Sequence, residues 1–174
     1  MKLATSLLVA VSAITLAGCA TNAPTGKDFS AFEAARPRSI LVVPVVNHSS
    51  ETEAADLFLT TLPVLLGERG YYVFPVNMSK RLMEDDGLAD PMLVHGTPSP
   101  QVASLFGADS VLYVEVLEWK STYAVLSSGI TVKFLYTLKD GRTNQLLWQE
   151  EREAVYSQSS NSGNILVDLV ATAI

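Results

Sequence analysis

Residues 39–46 have the sequence Ser-Ile-Leu-Val-Val-Pro-Val-Val, a continuous run of apolar, mostly β-branched side chains. Such a run is typical of a strand that is covered on both faces. Pro44 has no N–H to donate, so we expect it at an unpaired ladder position or a bulge, where the strand is locally an edge. The fold is therefore predicted to be built around a buried strand at this point.

The residues downstream of this strand predict a helix and a second strand. Ser50 and Glu53 match a capping box, and the following apolar residues share one helical face that Gly67 and Gly70 would end. Pro63 is expected to kink this helix. Residues 71–76, Tyr-Tyr-Val-Phe-Pro-Val, then predict a second strand. The strand, helix, strand order indicates a parallel, right-handed βαβ unit.

The middle of the chain alternates between helical and loop signals. A short helix is predicted over residues 77–87, followed by a loop through Pro91, His95 and Pro98. Ser99 and Pro100 suit the N-cap and first turn of a third helix, which Gly107 would end.

The second half has the period of strands. Residues 110–119 are strand-like, and residues 122–138 place their apolar side chains at even positions: Ala124, Leu126, Ile130, Val132, Phe134, Tyr136 and Leu138. Asp140 and Gly141 supply a tight turn into a strand over 145–156, which gives an antiparallel meander. We therefore predict a mixed α/β (α+β) fold of three layers, with an N-terminal βαβ unit, a β-meander and helices packed on the sheet.

One domain is predicted over residues 39–174. A polar loop is expected over 157–164 and an apolar amphipathic helix over 165–174. That helix stops at Ile174 without a C-cap or a cationic last turn, so we expect residues to be missing after it.

The N-terminus carries a secretion signal. Lys2 precedes an apolar stretch that is too short to span a bilayer, and the tetrad Leu16-Ala17-Gly18-Cys19 closes it. This tetrad resembles the lipobox of bacterial lipoproteins, which implies cleavage of residues 1–18 and a diacylglyceryl group on Cys19. An ordinary signal peptide that leaves a free thiol is the alternative.

Residues 19–38 are predicted to be a lipidated flexible tether, since they are small, polar and proline-bearing. Phe29, Phe32 and Ala35 could pack as a helical turn against the domain, but Pro37 would stop a helix there. Because Ala20 is not Asp, resemblance to the lipoprotein sorting pattern favours the outer membrane, with the domain in the periplasm or at the cell surface.

Composition and motifs exclude several functions. The net charge of −6 disfavours nucleic acid, and a single Cys permits no intramolecular disulfide. His48 and His95 lack metal-site spacing, and there is no Gly-x-Ser-x-Gly or phosphate-binding loop. We therefore expect no metal, no cofactor and no catalytic residue, although a Ser-His-Asp set could still form in space.

One turn is a candidate ligand site. Asn47, His48, Ser49 and Ser50 follow the first strand and precede a helix N-terminus, where pockets gather in α/β sheets. The same residues also suit a simple capped turn, which is the interpretation we favour.

Four stretches resemble a family of Gram-negative bacterial lipoproteins of unknown function, typified by the neisserial genome-derived antigen lipoprotein. They are residues 35–44 (ARPRSILVVP), 70–76 (GYYVFPV), 106–113 (FGADSVLY) and 146–149 (LLWQ). The resemblance implies a fold similar to the amino-terminal domain of TolB and to the periplasmic domain of the curli secretion channel lipoprotein. It brings no catalytic residues.

The preferred functional hypothesis is a non-catalytic outer-membrane lipoprotein that serves an envelope export or secretion complex as an accessory or assembly component. Its partners would be the membrane, through the anchor, and other envelope proteins or itself, through an uncovered strand edge. The alternative is a periplasmic ligand binder or hydrolase that acts on envelope sugars or peptidoglycan at the Asn47–Ser50 turn. A domain that serves only for surface display is a third, weaker hypothesis.

Overall fold

The structure, a computed structural model, describes residues 27–124 and 127–157. The helices there are α1 (Ser30–Ala35), α2 (Ala54–Glu68), α3 (Val76–Asp85), α4 (Pro91–Gly96) and α5 (Ser99–Ser104). The strands are β1 (Ser39–Val42), β2 (Val46–Asn47), β3 (Tyr72–Val73), β4 (Ser110–Ala124), β5 (Ser127–Asp140) and β6 (Leu146–Ser157). The signal sequence, the lipobox with Cys19, and the helix predicted over 165–174 lie outside the described residues.

The strands form one mixed sheet in the order β3-β1-β4-β5-β6, with β2 paired to β4. β1 is parallel to β3 and to β4, and α2 connects β1 and β2 to β3. β4, β5 and β6 are antiparallel neighbours. The predicted fold class, a βαβ unit followed by a meander, is confirmed.

The apolar run that begins at Ser39 is interrupted at Pro44. β1 ends at Val42, β2 begins at Val46, and β2 pairs with β4 alone among the described strands. Because Pro44 cannot donate a ladder hydrogen bond, the chain breaks the strand there and resumes it as a local edge. This position matches the prediction.

Two apolar cores lie on opposite faces of the sheet. Successive residues of β1 alternate between them, so Ile40 belongs to one core and Leu41 to the other. The first core is closed by α2, whose Phe58 lies 4.5 Å from Phe134 of β5 between ring centroids. The second core takes residues from α3, α4 and α5, including Val94. Helices on both faces therefore make three layers.

Several predicted boundaries in the first half are wrong. The helix α2 has Glu53 at its N-cap with no side-chain capping bond, so the predicted capping box does not form, and α2 continues through Gly67 to Glu68. The second strand ends at Val73 instead of Val76, because Pro75 caps α3. Residues 91–96, which were predicted to be a loop, form α4 because Asp90 Oδ1 accepts the Met92 N–H at 2.9 Å.

The strand predicted over residues 122–138 is divided between two strands. β4 continues to Ala124, and β5 begins at Ser127. The alternation is nevertheless correct within β5, where Val132, Phe134, Tyr136 and Leu138 are all buried. The meander therefore contains a hairpin that the uninterrupted pattern had concealed.

The predicted tether includes a folded element. Within residues 19–38, α1 packs against the first core, and the ring of Phe32 meets that of Tyr71 edge-on at 6.5 Å. Arg36 ends the helix in the left-handed conformation, with φ 45°. This is the helical turn at Phe29, Phe32 and Ala35 that the sequence allowed for, and the bounds of the tether stay a prediction.

Candidate functional site

The predicted ligand turn uses its polar groups within itself. Asn47 Oδ1 accepts the backbone N–H of Ser49 at 2.9 Å and its hydroxyl at 2.7 Å, while Asn47 Nδ2 donates to the Glu51 carbonyl at 2.6 Å. This is an Asx turn at the end of β2. Residues 47–50 therefore have the geometry of a structural turn, and a ligand role for them stays a prediction.

His48 is tied to the neighbouring strand. Its backbone N–H donates to the Val116 carbonyl at 2.9 Å, and its Nε2 lies 3.0 Å from Glu115 Oε2. The ring and the carboxylate are both partly exposed. A hydrogen bond at such a partly exposed surface orients the ring but contributes little to the stability of the fold.

The other histidine lies deeper on the same face. His95 Nε2 donates to the Pro44 carbonyl at 3.0 Å, and its ring meets Tyr113 edge-on at 5.2 Å. Burial lowers the pKa of His95, although the hydrogen bond to Pro44 opposes that shift. The imidazole is thus neutral near pH 7 and fills the break between β1 and β2.

Tyr113 is buried below His95, and its hydroxyl has no hydrogen-bond partner within the described residues. Burial raises the pKa of Tyr113 to about 12, and Lys139 Nζ lies 5.2 Å from the ring centroid. A phenol with so high a pKa stays protonated at neutral pH and is a poor base.

No nucleophile is activated in the part of the chain that the structure describes. The Ser49 hydroxyl donates to Asn47, and the buried Ser99 and Ser110 hydroxyls donate to the backbone carbonyls of Asp140 and Ser39. None of these serines bonds a histidine there, as a hydrolase triad would require. Residues 27–124 and 127–157 also hold no group of three His, Cys, Asp or Glu side chains that could bind a metal.

A cavity of about 580 Å³ lies under α1, and sequence reasoning missed it. Its apolar walls come from α1, α2 and the sheet: Phe29, Phe32, Leu66, Leu112, Leu138 and Trp148. Lys27, Arg69, Glu150 and Arg152 add charge. Leu112 of β4 lines the cavity, whereas Asn47 pairs with Val116, four residues further along the same strand. The turn and the cavity wall are therefore roughly 13 Å apart along β4.

The strand β6 is an edge of the sheet, and among the described strands it pairs with β5 alone. Ala154 points into the first core, so Glu151, Glu153 and Val155 lie on the opposite face, where Val155 is 67% exposed. Glu151 Oε1 is 2.6 Å from Lys133 Nζ of β5. This strand therefore presents an acidic rim with one exposed valine.

The geometry defines a helix-covered mixed sheet, and two solved proteins share that fold. The crystal structure of lipoprotein GNA1162 from Neisseria meningitidis is 30% identical, covers 78% of this chain and 94% of that chain, and has a TM-score of 0.68. The PelC dodecamer from Paraburkholderia phytofirmans is 16% identical, with 80% and 86% covered and a TM-score of 0.53.

The chain belongs to the family described as "Putative lipoprotein GNA1162-like", whose profile matches residues 27–174. A curated relative, lipoprotein NMB1124/NMB1162 of Neisseria meningitidis serogroup B (strain ATCC BAA-335 / MC58), is 29% identical over 168 residues, which are 97% of this chain and 78% of the relative. The predicted resemblance is confirmed. Within the described ranges, no helix is long and apolar enough to cross a membrane.

Proposed function

We propose that this protein is a non-catalytic lipoprotein of the outer membrane that acts by protein contact, as an accessory or assembly component of an envelope export or secretion complex. The lipobox Leu16-Ala17-Gly18-Cys19 supports a lipid on Cys19, and membership in a lipoprotein family agrees with it. His48, His95 and the buried hydroxyls of Ser99 and Ser110 are used in hydrogen bonds within the fold, which favours contact over catalysis.

The edge strand β6 carries the proposal. β6 is twelve residues long, and every second residue directs its backbone N–H and C=O groups away from β5, to a side on which no other described strand pairs. An extended segment of a partner can add to such an edge through main-chain hydrogen bonds. The acidic residues make the contact selective, because an edge that carries charge rejects unsuitable strands.

The charges favour a different protein over a second copy. In antiparallel pairing of two β6 strands by a two-fold axis that passes near the middle of the strand, between residues 151 and 153, Glu151 would face Glu151 or Glu153 of the other copy. Like charges directly opposite each other are destabilising, whereas a partner strand with Lys or Arg would be attracted. The PelC dodecamer is an assembly of a protein with this fold, so the fold is compatible with assembly.

The edge is tested by reversing its charge. Glu151→Lys combined with Glu153→Lys should abolish co-purification of envelope proteins that cross-link to the full-length chain in cells. Asp85→Lys combined with Asp86→Lys is the matched control, since both aspartates are exposed on α3 and the change in charge is the same. Equal recovery of partners with the two variants would sink the assignment to β6.

The anchor is tested separately. Cys19→Ser should leave an unprocessed or unlipidated chain that no longer fractionates with outer membranes, as followed by metabolic labelling with a palmitate analogue. Label that persists on the Cys19→Ser chain would contradict lipidation at this residue.

A further inference from the structure

The helix α1 roofs the cavity, and one contact from the helix and one from the residues before it hold it in place. Phe32 meets Tyr71 on one side, and on the other Lys27 forms an ion pair with Glu150 of β6. A helix of six residues has little stability of its own. The closure of the cavity therefore depends on these side-chain contacts, so α1 is positioned as a removable cover.

The walls are suited to an aliphatic chain. The volume of about 580 Å³ is within the range of ligand pockets, and side chains of Leu66, Leu112, Leu138 and the two phenylalanines of the cover supply apolar surface. Filling such a space removes methylene groups from water, which is favourable for each group that is buried.

The charges at the cavity are complementary to an anion. Glu150 is already balanced by Lys27 and by Arg152, whose Nε lies 2.6 Å from Glu150 Oε1. Arg69 donates from Nη1 to the Leu65 carbonyl at 3.2 Å, and it forms no ion pair in the described part of the chain. The cavity lining thus has three cationic side chains and one carboxylate, an excess of two positive charges, on a chain whose net charge is −6.

A buried donor in the cavity wall also lacks an acceptor. The indole Nε1 of Trp148 is buried and has no hydrogen-bond partner among the residues described, while its ring stacks on Tyr136 at 6.0 Å. This donor has less than 1 Å² of accessible surface, so a ligand oxygen would recover the free energy of its missing hydrogen bond only if the indole turned toward the cavity. From these observations we propose that the cavity binds a long-chain fatty acid, with the acyl chain under α1 and the carboxylate at Arg69.

The test uses the two tryptophans of the chain as reporters. The full-length protein, extracted from membranes into nanodiscs of zwitterionic lipid, carries Trp119→Phe so that Trp148 alone emits. Titration with ω-bromopalmitate should quench Trp148 saturably at one ligand per chain. In the Trp148→Phe variant, Trp119, which does not line the cavity, should stay unquenched.

Two further arms test the head group and exclude simple membrane contact. The uncharged ω-bromo alcohol should bind roughly tenfold more weakly than the acid. Arg69→Gln should weaken binding of the acid by a similar factor without changing the midpoint of unfolding. Nanodiscs that contain brominated phosphatidylcholine should not quench Trp148. Unsaturable quenching, equal quenching of Trp119, or equal affinity for acid and alcohol would overturn the proposal.

Discussion

The substitution Gly141→Ala should destabilise the fold for a reason visible only in three dimensions. A Cβ at Gly141 would lie 2.5 Å from the Ala108 carbonyl oxygen and 2.9 Å from that of Asp109, both backbone atoms that cannot swing away. The Gly141 N–H also donates to Asp109 at 2.8 Å. The turn after β5 is thus pressed against the start of β4.

The expected magnitude combines two effects. Overpacking costs about 1–3 kcal/mol, and weakening the hydrogen bond to Asp109 adds about 1 kcal/mol, so the free energy of unfolding should fall by about 2–4 kcal/mol. For a chain of this length, each kcal/mol lowers the melting temperature by about 2–4 °C. Urea unfolding followed by circular dichroism measures the free energy of unfolding, and a thermal melt measures the melting temperature.

Gly67→Ala is the matched control, and we expect it to raise the free energy of unfolding instead of lowering it. Gly67 lies inside α2, has no positive φ, and has no atom within 4 Å of an added Cβ. Alanine there should stabilise the protein by about 0.5–1 kcal/mol through helix propensity. The steric argument would be refuted if Gly141→Ala unfolded within about 0.5 kcal/mol of the parent protein.

Three further predictions concern the core, the histidine and the strand start. Phe58→Ala should lower the free energy of unfolding, measured in urea, by about 3–5 kcal/mol, because it removes the side chain through which α2 packs on the meander. Because the pKa of His95 is lowered in the folded protein, the unfolded chain takes up the proton at a higher pH, so stability should decline as the pH falls below about 6.5. Thermal melts of His95→Gln should show a smaller decline over the same pH range. Asp109→Asn should lower the free energy of unfolding by about 1–3 kcal/mol, since Asp109 Oδ2 accepts the backbone N–H groups of Arg38 and Ser39. Because those bonds lower the pKa of Asp109, the difference between the two proteins should shrink at acidic pH. Chemical unfolding at pH 7 and pH 3 would measure it.

The sequence predicted the elements whose apolar pattern is long and regular. The buried run before Pro44 and the even-numbered face of β5 both appear where the pattern placed them. The apolar residues of β5 recur every second residue, which indicates a strand with one buried face. The apolar run of β1 is short and rich in β-branched residues, which indicates a strand buried on both faces.

Short elements are harder to predict because their length gives them little stability of their own. The helix α4 has only six residues, and although Asp90 and Pro91 supply a local N-terminal signal, the packing of Val94 is not visible in the sequence. A helical turn at Phe29, Phe32 and Ala35 was allowed for within the predicted tether, and α1 forms there with Phe32 half-buried beside Tyr71.

The cavity was hidden because its lining residues are far apart in the sequence. Trp148, Arg69 and Phe29 come from distant parts of the sequence and meet only after the sheet has formed. Gly141 was expected to serve a tight turn by its conformational freedom, yet the left-handed residue in that turn is Asn144, with φ 62°. The glycine is instead required by the close approach of β4.

The central claim, that β6 is the contact edge, is tested most directly by site-specific photocrosslinking in cells. A benzophenone amino acid at Val155, 67% exposed on β6, should give a discrete crosslinked band that mass spectrometry assigns to an envelope protein. The same probe at Val64, 60% exposed on α2, should give none. Equal crosslinking at both positions, or crosslinking at Val64 alone, would contradict the account.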